Sequence, residues 1–269
     1  MSNAIENKAR SLWGDDLHKD KVIPAHSPQI QILFNEEWHH SFRGNLLEIG
    51  CGSGADLRLF SENENLTSIT AIDIGENIHQ LMNLYQDNKK IEILRANALS
   101  LPFSNNTFNC IYSFGVFHHT SNPKTCIKES YRVLEFGGSM FLYLYSKHED
   151  ILFKRIGIFM EEIIMKLFHY LPYRLQHLSC IFLSPICWFL FCMPSKITQT
   201  IGLESFSKKF PFYFGTHPFS LINDLKDRLM APINHRFTVN EISRTLEECN
   251  FSMIRIKKNA AGLYIFAKK

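Results

Sequence analysis

The sequence predicts an α/β fold: a mainly parallel seven-stranded sheet with helices on both faces, its last strand antiparallel. Three observations predict it. Leu46-Leu47-Glu48-Ile49-Gly50-Cys51-Gly52-Ser53-Gly54-Ala55-Asp56-Leu57 reads as a buried strand, a glycine-rich turn and the start of a helix. Apolar strand-like runs then alternate with helix-period stripes as far as Tyr145, the pattern of βαβ units. Finally, two alternating runs near the C-terminus, separated by Asn259-Ala260-Ala261, predict a closing hairpin.

Taken in order, residues 1–43 are polar and aromatic and form an N-terminal helical cap, with helices near 3–13 and 27–41 interrupted at Pro24 and Pro28. Trp13 is placed to reach a ligand if this cap serves as a flap. The first strand and its turn begin the core at residue 44. A helix follows from Ala55 to Phe60, then a β-branched strand from Ser68 that ends on Asp73. Ile78, Leu81, Met82 and Tyr85 recur at helical spacing. Ile91–Arg95 and Phe108–Phe114 are the third and fourth strands. Pro123 opens a helix at a position that tolerates it, Gly137-Gly138 ends that helix, and Ser139–Tyr145 is the fifth strand.

The alternation stops there. The core's first part is read as 44–147, an apolar helical insertion as 148–236, and the core's last helix and hairpin as 237–269. From Ile151 to Leu171, Lys154, Arg155, Glu161, Glu162 and Lys166 share one helical face, while Ile156, Phe159, Ile163 and Leu167 share the other. No Lys, Arg, Asp or Glu lies between Arg174 and Lys196. Interruptions at Gln176, His177, Pro185 and Pro194 leave the purely apolar part shorter than the roughly 20 residues of a spanning helix. The expected state is a helical lid walling an acceptor pocket. Peripheral membrane contact through 151–194 is the second state, and a transmembrane helix the third. In the last part, Thr238 and Glu241 have the spacing of a capping box.

The composition, 45% hydrophobic and 20% charged over 269 residues, is that of a globular chain with a large core. A net charge of +3 offers no basic stripe for nucleic acid, and none is expected as a partner. The seven cysteines (51, 110, 126, 180, 187, 192 and 249) form no C-x-x-C pair and no zinc-like spacing, so no metal is expected. Scattered cysteines and a charged, leader-free start point to the cytoplasm, with membrane association through the insertion as the variant.

In a sheet of this kind ligands sit beyond the carboxyl ends of the strands, at the switch in strand order. Gly50, Asp73, Asn97 and Ser113 all fall at or just after strand ends and can line one crevice. Gly50-x-Gly52-x-x-Ala55, with Asp73 near the expected offset, formally fits a dinucleotide fingerprint. The loop alone therefore leaves a nicotinamide coenzyme and another adenosine ligand both open. A carboxylate at position 73 can accept both ribose hydroxyls, or can cap the next helix instead.

Four ordered segments resolve that choice by resemblance. The stretch from Leu46, with Glu48 two residues before the first glycine, resembles the first motif of class I S-adenosylmethionine-dependent methyltransferases. Asn97-Ala98-Leu99-Ser100-Leu101-Pro102-Phe103 resembles their adenine-contacting segment. Phe108 to His119 resembles their fourth strand, and Tyr131-Arg132-Val133-Leu134-Glu135-Phe136-Gly137-Gly138 the approach to their fifth. The small-molecule "type 11" group is the nearest in pattern, over about residues 44–146 and 237–269. Asn97, Asn109 and Phe136 depart from it, standing where an acid, an aspartate and a proline are usual.

The resemblance implies a Rossmann-like sheet and S-adenosyl-L-methionine as cofactor. It implies binding by Glu48, Gly50, Cys51, Gly52, Gly54, Asp73, Ile74, Asn97, Ala98, Leu99, Ser113 and Phe114. The apolar insertion, which follows strand five, makes a small or lipid-like molecule the expected methyl acceptor. Transfer from an activated sulfonium is largely a matter of positioning, so this family often lacks a fixed base. His118 and His119, just past strand four, and His235 are the candidates if one exists. A non-catalytic cofactor-binding or membrane-docking protein of the same fold is the alternative.

Overall fold

Short β-branched and leucine-rich runs pair here into one sheet because both of its faces find helices to pack on. The computed structural model describes residues 25–76, 78–212 and 215–269. The expected helix near 3–13 and Trp13 lie outside them. The chain divides into two units, one ending at Ser146 and resuming over His235–Lys269, the other being Lys147–Asn234.

In the first unit, helices α1 (Ser27–Leu33) and α2 (Asn35–Ser41) precede strand β1 (Gly44–Ile49). Then come α3 (Ala55–Ser61), β2 (Leu66–Asp73), α4 (Ile78–Tyr85), β3 (Ile91–Arg95), β4 (Phe108–Phe114), α5 (Pro123–Val133) and β5 (Leu134–Leu144). The strands lie in the order β3-β2-β1-β4-β5, all parallel, so the order reverses between β1 and β4. After the second unit, the first closes with a helix at Val239–Glu248 and a hairpin, Ser252–Lys258 and Leu263–Lys268. The last strand runs antiparallel beside β5. This is the seven-stranded Rossmann-like sheet with an antiparallel end that the sequence predicts.

Alternation along each strand divides the core. Leu47, Ile49, Ile111, Met140 and Leu142 pack on one face with Ile127 and Val133 of α5 and with Ile242 and Leu246. Leu46, Ile69, Tyr112 and Phe141 pack on the other with Ile30, Phe34, Trp38, Phe42, Leu57 and Phe60. Trp38 stacks on Phe42 at 3.8 Å and meets Phe141 edge-on, which seats the cap helices on the sheet.

Two expectations shift. The helix expected over 27–41 is broken at Phe34, a fully buried ring between α1 and α2. Strand β5 starts at Leu134 rather than Ser139, passing through the glycines expected to end the helix. The C-terminal residue explains this: the Gly137 amide donates to the Lys269 carbonyl and the Lys269 amide to Gly138, extending the strand. Asn109 is explained as well. Its Oδ1 accepts from the Asn45 amide at 2.8 Å while its Nδ2 donates to Glu135 at 2.6 Å, so one amide joins β1, β4 and β5. An aspartate could not donate. The capping box at Thr238 and Glu241 is present with both of its hydrogen bonds, as predicted.

In the second unit lie α6 (Leu152–Phe168), α7 (Tyr173–Cys187), α8 (Met193–Thr200), α9 (Glu204–Ser207) and α10 (Ile222–Leu229). A π-type turn at Trp188–Cys192 joins α7 to α8, making Tyr173–Thr200 one continuous helix of 28 residues.

Candidate functional site

Three glycines at 50, 52 and 54 carry the turn between β1 and α3, and all three have positive φ. An L side chain is strained there. A Cβ on Gly50 would also collide with Val116, so space and backbone both demand glycine. The Gly50 and Cys51 amides donate to the Ile72 carbonyl at 2.7 and 3.1 Å, which ties the turn to β2.

Asp73 holds the same turn from the other side. Its Oδ2 accepts from the Gly52 amide at 2.9 Å and its Oδ1 from the Gly75 amide at 2.8 Å. Each carboxylate oxygen keeps a second acceptor direction, and Asp73 is only partly buried. The residue sits at the carboxyl end of β2, directly beside the strand-order switch. Next to it, the Ile74 carbonyl accepts from Arg95, whose guanidinium pairs with Glu76.

Glu48 is buried on β1, and its Oε2 has no hydrogen-bond partner among the described residues. Burial, with the charges of Asp56 and Asp73 added, pushes its carboxyl well above the usual range. An isolated buried acid of this kind is costly when ionised unless a cation joins it. Cys51 is likewise buried, and burial together with the Asp73 and Glu48 charges raises its thiol, so it is a packing residue rather than a nucleophile.

The remaining predicted residues divide into two sets. Asn97 folds back on its own turn, its Oδ1 accepting from the Leu99 amide at 3.0 Å and keeping one further acceptor direction. Ala98 and Leu99 pack on the apolar core at this turn. Ser113 is fully buried and donates to the Ile49 carbonyl at 3.0 Å, a stitch between β4 and β1 rather than an open donor. Phe114 is partly exposed, its ring stacked between His26 and Tyr143 at 4.2 Å on each side. Gly115 follows with positive φ and open space where a Cβ would stand.

The histidines converge. His118 lies in a 3₁₀ turn, Phe117–His119, fully buried, stacked at 4.0 Å on Tyr145 and 4.2 Å from the His119 ring. The His235 amide donates to the His118 carbonyl at 2.8 Å. Burial, against the Thr120 backbone hydrogen bond and together with the His119 charge, lowers the His235 imidazole. His118 thus has the surroundings of a packing residue, whereas His119 and His235 are partly exposed. No three His, Cys, Asp or Glu residues among the described ones are placed to hold a metal ion.

One contact was not foreseen. Asp56, in the first turn of α3, accepts from the His26 and Ser27 amides at 2.8 and 2.6 Å and from the Tyr112 hydroxyl at 3.1 Å. The two amides share Oδ1, and His26 Nδ1 lies 3.4 Å from Oδ2, the oxygen that Tyr112 bonds. This carboxylate anchors the start of α1 to the glycine turn and sets the His26 ring on Phe114. Asp56 stands inside the motif that drew attention, but its partners are about 30 and 56 positions away, beyond any local pattern.

Glycines that must lack side chains, a partly exposed strand-end acid and a buried carboxylate whose Oε2 has no partner among the described residues fit a ligand bearing ribose hydroxyls and a positive charge. Residues 47–142 match the model of the methyltransferase domain family. Cycloartenol-C-24-methyltransferase 1 of Oryza sativa subsp. japonica is 31% identical over 104 residues, 36% of this chain and 29% of that protein. The Bos taurus protein named probable tRNA methyltransferase 9B is 30% identical over 143 residues, 49% of this chain and 30% of that protein. The chain spans less than half the length of these curated relatives. The solved structure of PigF with SAH shares the fold, with 14% identity, a TM-score of 0.50 and coverage of 90% of this chain and 55% of that one. Family model, motif order and strand order agree over one part of the chain: residues 47–142 match a methyltransferase domain and are similar to the class I S-adenosylmethionine-dependent kind.

Proposed function

We propose that the chain is an S-adenosylmethionine-dependent methyltransferase acting on a small, lipid-like acceptor. The observation that carries the donor half is the Asp73 carboxylate, which braces the glycine turn through Gly52 and Gly75 and keeps acceptor directions open. Asp73 is assigned to the ribose hydroxyls, the Gly50–Gly54 turn to the carboxylate-bearing end, and Glu48 to the positive charge. Ile74 and Asn97–Leu99 line the adenine, and Phe114 the floor. When bound, S-adenosylmethionine supplies an activated methyl group. The protein's part is to orient, to exclude water and to seat the acceptor. His119 and His235 are the groups able to hold a proton there if the acceptor carries one.

The acceptor half rests on Lys147–Asn234, whose exposed surface is dominated by large apolar side chains such as Phe159, Phe182 and Leu190. The core does not choose the acceptor: relatives named for a sterol and for tRNA are about equally similar to it.

Thermal unfolding with added ligand tests the donor half. S-adenosylhomocysteine is expected to raise the midpoint while a nicotinamide coenzyme does not; the reverse would contradict it. Asp73→Ala is expected to weaken that ligand about 10- to 100-fold, the loss of a charged hydrogen-bond acceptor. An unchanged titration would remove Asp73 from the site.

A further inference from the structure

In the helical unit Lys147–Asn234 the long helix turns a stripe of small and polar residues inward and a large apolar one outward, around an interior that also holds Phe168, Leu221, Leu225, Leu229 and Met230. Along Tyr173–Thr200 the buried stripe is Gln176, Cys180, Ser184, Cys192 and Ser195. The exposed one is Leu175, Leu178, Phe182, Ile186, Phe189, Leu190, Met193 and Ile197. A water-facing helix shows the opposite order. The polar stripe bonds within the unit. Gln176 Nε2 donates to the Phe168 and Leu171 carbonyls, both at 2.8 Å, and Ser184 Oγ to Pro218 at 2.7 Å. Ser195 Oγ donates to Ser207 at 3.0 Å, and the Trp188 indole to Gly215 at 3.3 Å. Small and hydroxyl-bearing residues at helix contacts, with large apolar ones outside, is the arrangement of helices packed in lipid.

Helix α6 repeats it. Its apolar arc, Leu152, Phe153, Ile156, Phe159, Ile163 and Leu167, is exposed, whereas Lys154 is buried and Glu161 accepts from Arg228 at 3.2 Å. The apolar face of α6 is therefore an exposed one. Beside that arc lie Arg155, Glu162 and Lys166, all exposed, a charged band suited to headgroup depth.

Charge and topology select the occupant. Over α6 and Tyr173–Thr200 the basic residues are Lys154, Arg155, Lys166, Arg174 and Lys196, against the acids Glu161 and Glu162. That basic excess complements an anionic lipid surface, and it gives a second copy of the same face more like charges than pairs. Both ends of the unit return to the methyltransferase unit, at Ser146 and His235, so the chain re-emerges on the side it entered. A two-helix crossing would take Lys154, Arg155, Glu161, Glu162 and Lys166 of α6 through the hydrocarbon, which is costly.

We propose that Lys147–Asn234 embeds the exposed apolar stripes of α6 and Tyr173–Thr200 in one leaflet of an anionic lipid bilayer, without crossing it. This stands apart from methyl transfer and is tested without it.

Flotation of the full chain with preformed phosphatidylcholine–phosphatidylglycerol vesicles tests it, with S-adenosylhomocysteine thermal shift measured on the same samples. The protein is expected to float and to stay bound after a wash of about 1 M salt, which screens charge attraction. The triple variant Phe182→Ser, Phe189→Ser, Leu190→Ser is expected to lose at least about tenfold in partition. Its ligand-induced shift is expected to remain, which shows that it folds. Protein that stays at the bottom of the gradient, that is released by salt alone, or that forms a detergent-sensitive homodimer excluded from vesicles would overturn the proposal. Flotation without any ligand shift would instead count against the methyltransferase reading.

Discussion

Two carboxylates, Asp73 and Glu48, carry the residue-scale argument in opposite ways. Asp73 was recognisable from its place at the end of an apolar strand, and the structure adds that both its oxygens brace the turn. Glu48 was visible only as an acid two positions before a glycine; its burial could not be read from a local pattern. Burial and the charges of Asp56 and Asp73 raise its pKa. Its contribution to stability is therefore fully present below the ordinary carboxylate range. It declines as pH rises above that range and is gone once pH passes the folded-state value. Glu48→Gln is neutral and nearly isosteric, so it should unfold with the wild type near pH 4 and at a higher temperature near pH 8. The same change should weaken S-adenosylmethionine about tenfold, the scale of one charge-assisted contact. Equal midpoints at both pH values, or unchanged affinity, would contradict the assignment.

At the scale of elements, the strand-to-helix turn and the seat of α1 form one assembly. Gly50 lies against Val116, beyond β4. Gly50→Ala should therefore be destabilising, and Val116→Ala in the same chain should recover only part of the loss, because the positive φ remains. Full recovery would show that crowding alone required the glycine. Asp56 is the other joint. Burial alone would raise its pKa; the His26 hydrogen bond, the Ser27 amide and the His26 charge outweigh that and hold it low. Its stabilising contribution is thus present above the ordinary carboxylate range and lost as pH falls through its depressed value. Asp56→Asn would set an amide donor against donors from His26, Ser27 and Tyr112. A cost of about 2–3 kcal/mol follows, roughly 4–12 °C in Tm, which differential scanning calorimetry would register. The positions of the strands, the capping box and the hairpin were legible because apolar period and cap chemistry are local. The early start of β5 was not, because it depends on hydrogen bonds between Gly137, Gly138 and a residue far along the chain, Lys269.

For the molecule as a whole, composition marked residues 148–236 as different in character, and Lys147–Asn234 forms a unit of its own, but composition did not say which of its faces would be covered. The helical period of α6 separates Lys154 and Glu161 from Phe159 and Ile163 without saying which set turns outward. The structure exposes the apolar set, the observation on which the proposed lipid-like acceptor rests. The central claim is that the methyl group leaves for such an acceptor. Incubating the purified chain and methyl-labelled S-adenosylmethionine with a cell lysate, then partitioning the products, tests it most directly. The account predicts label in the organic-extractable fraction, lost in Asp73→Ala; label confined to protein or RNA would contradict it.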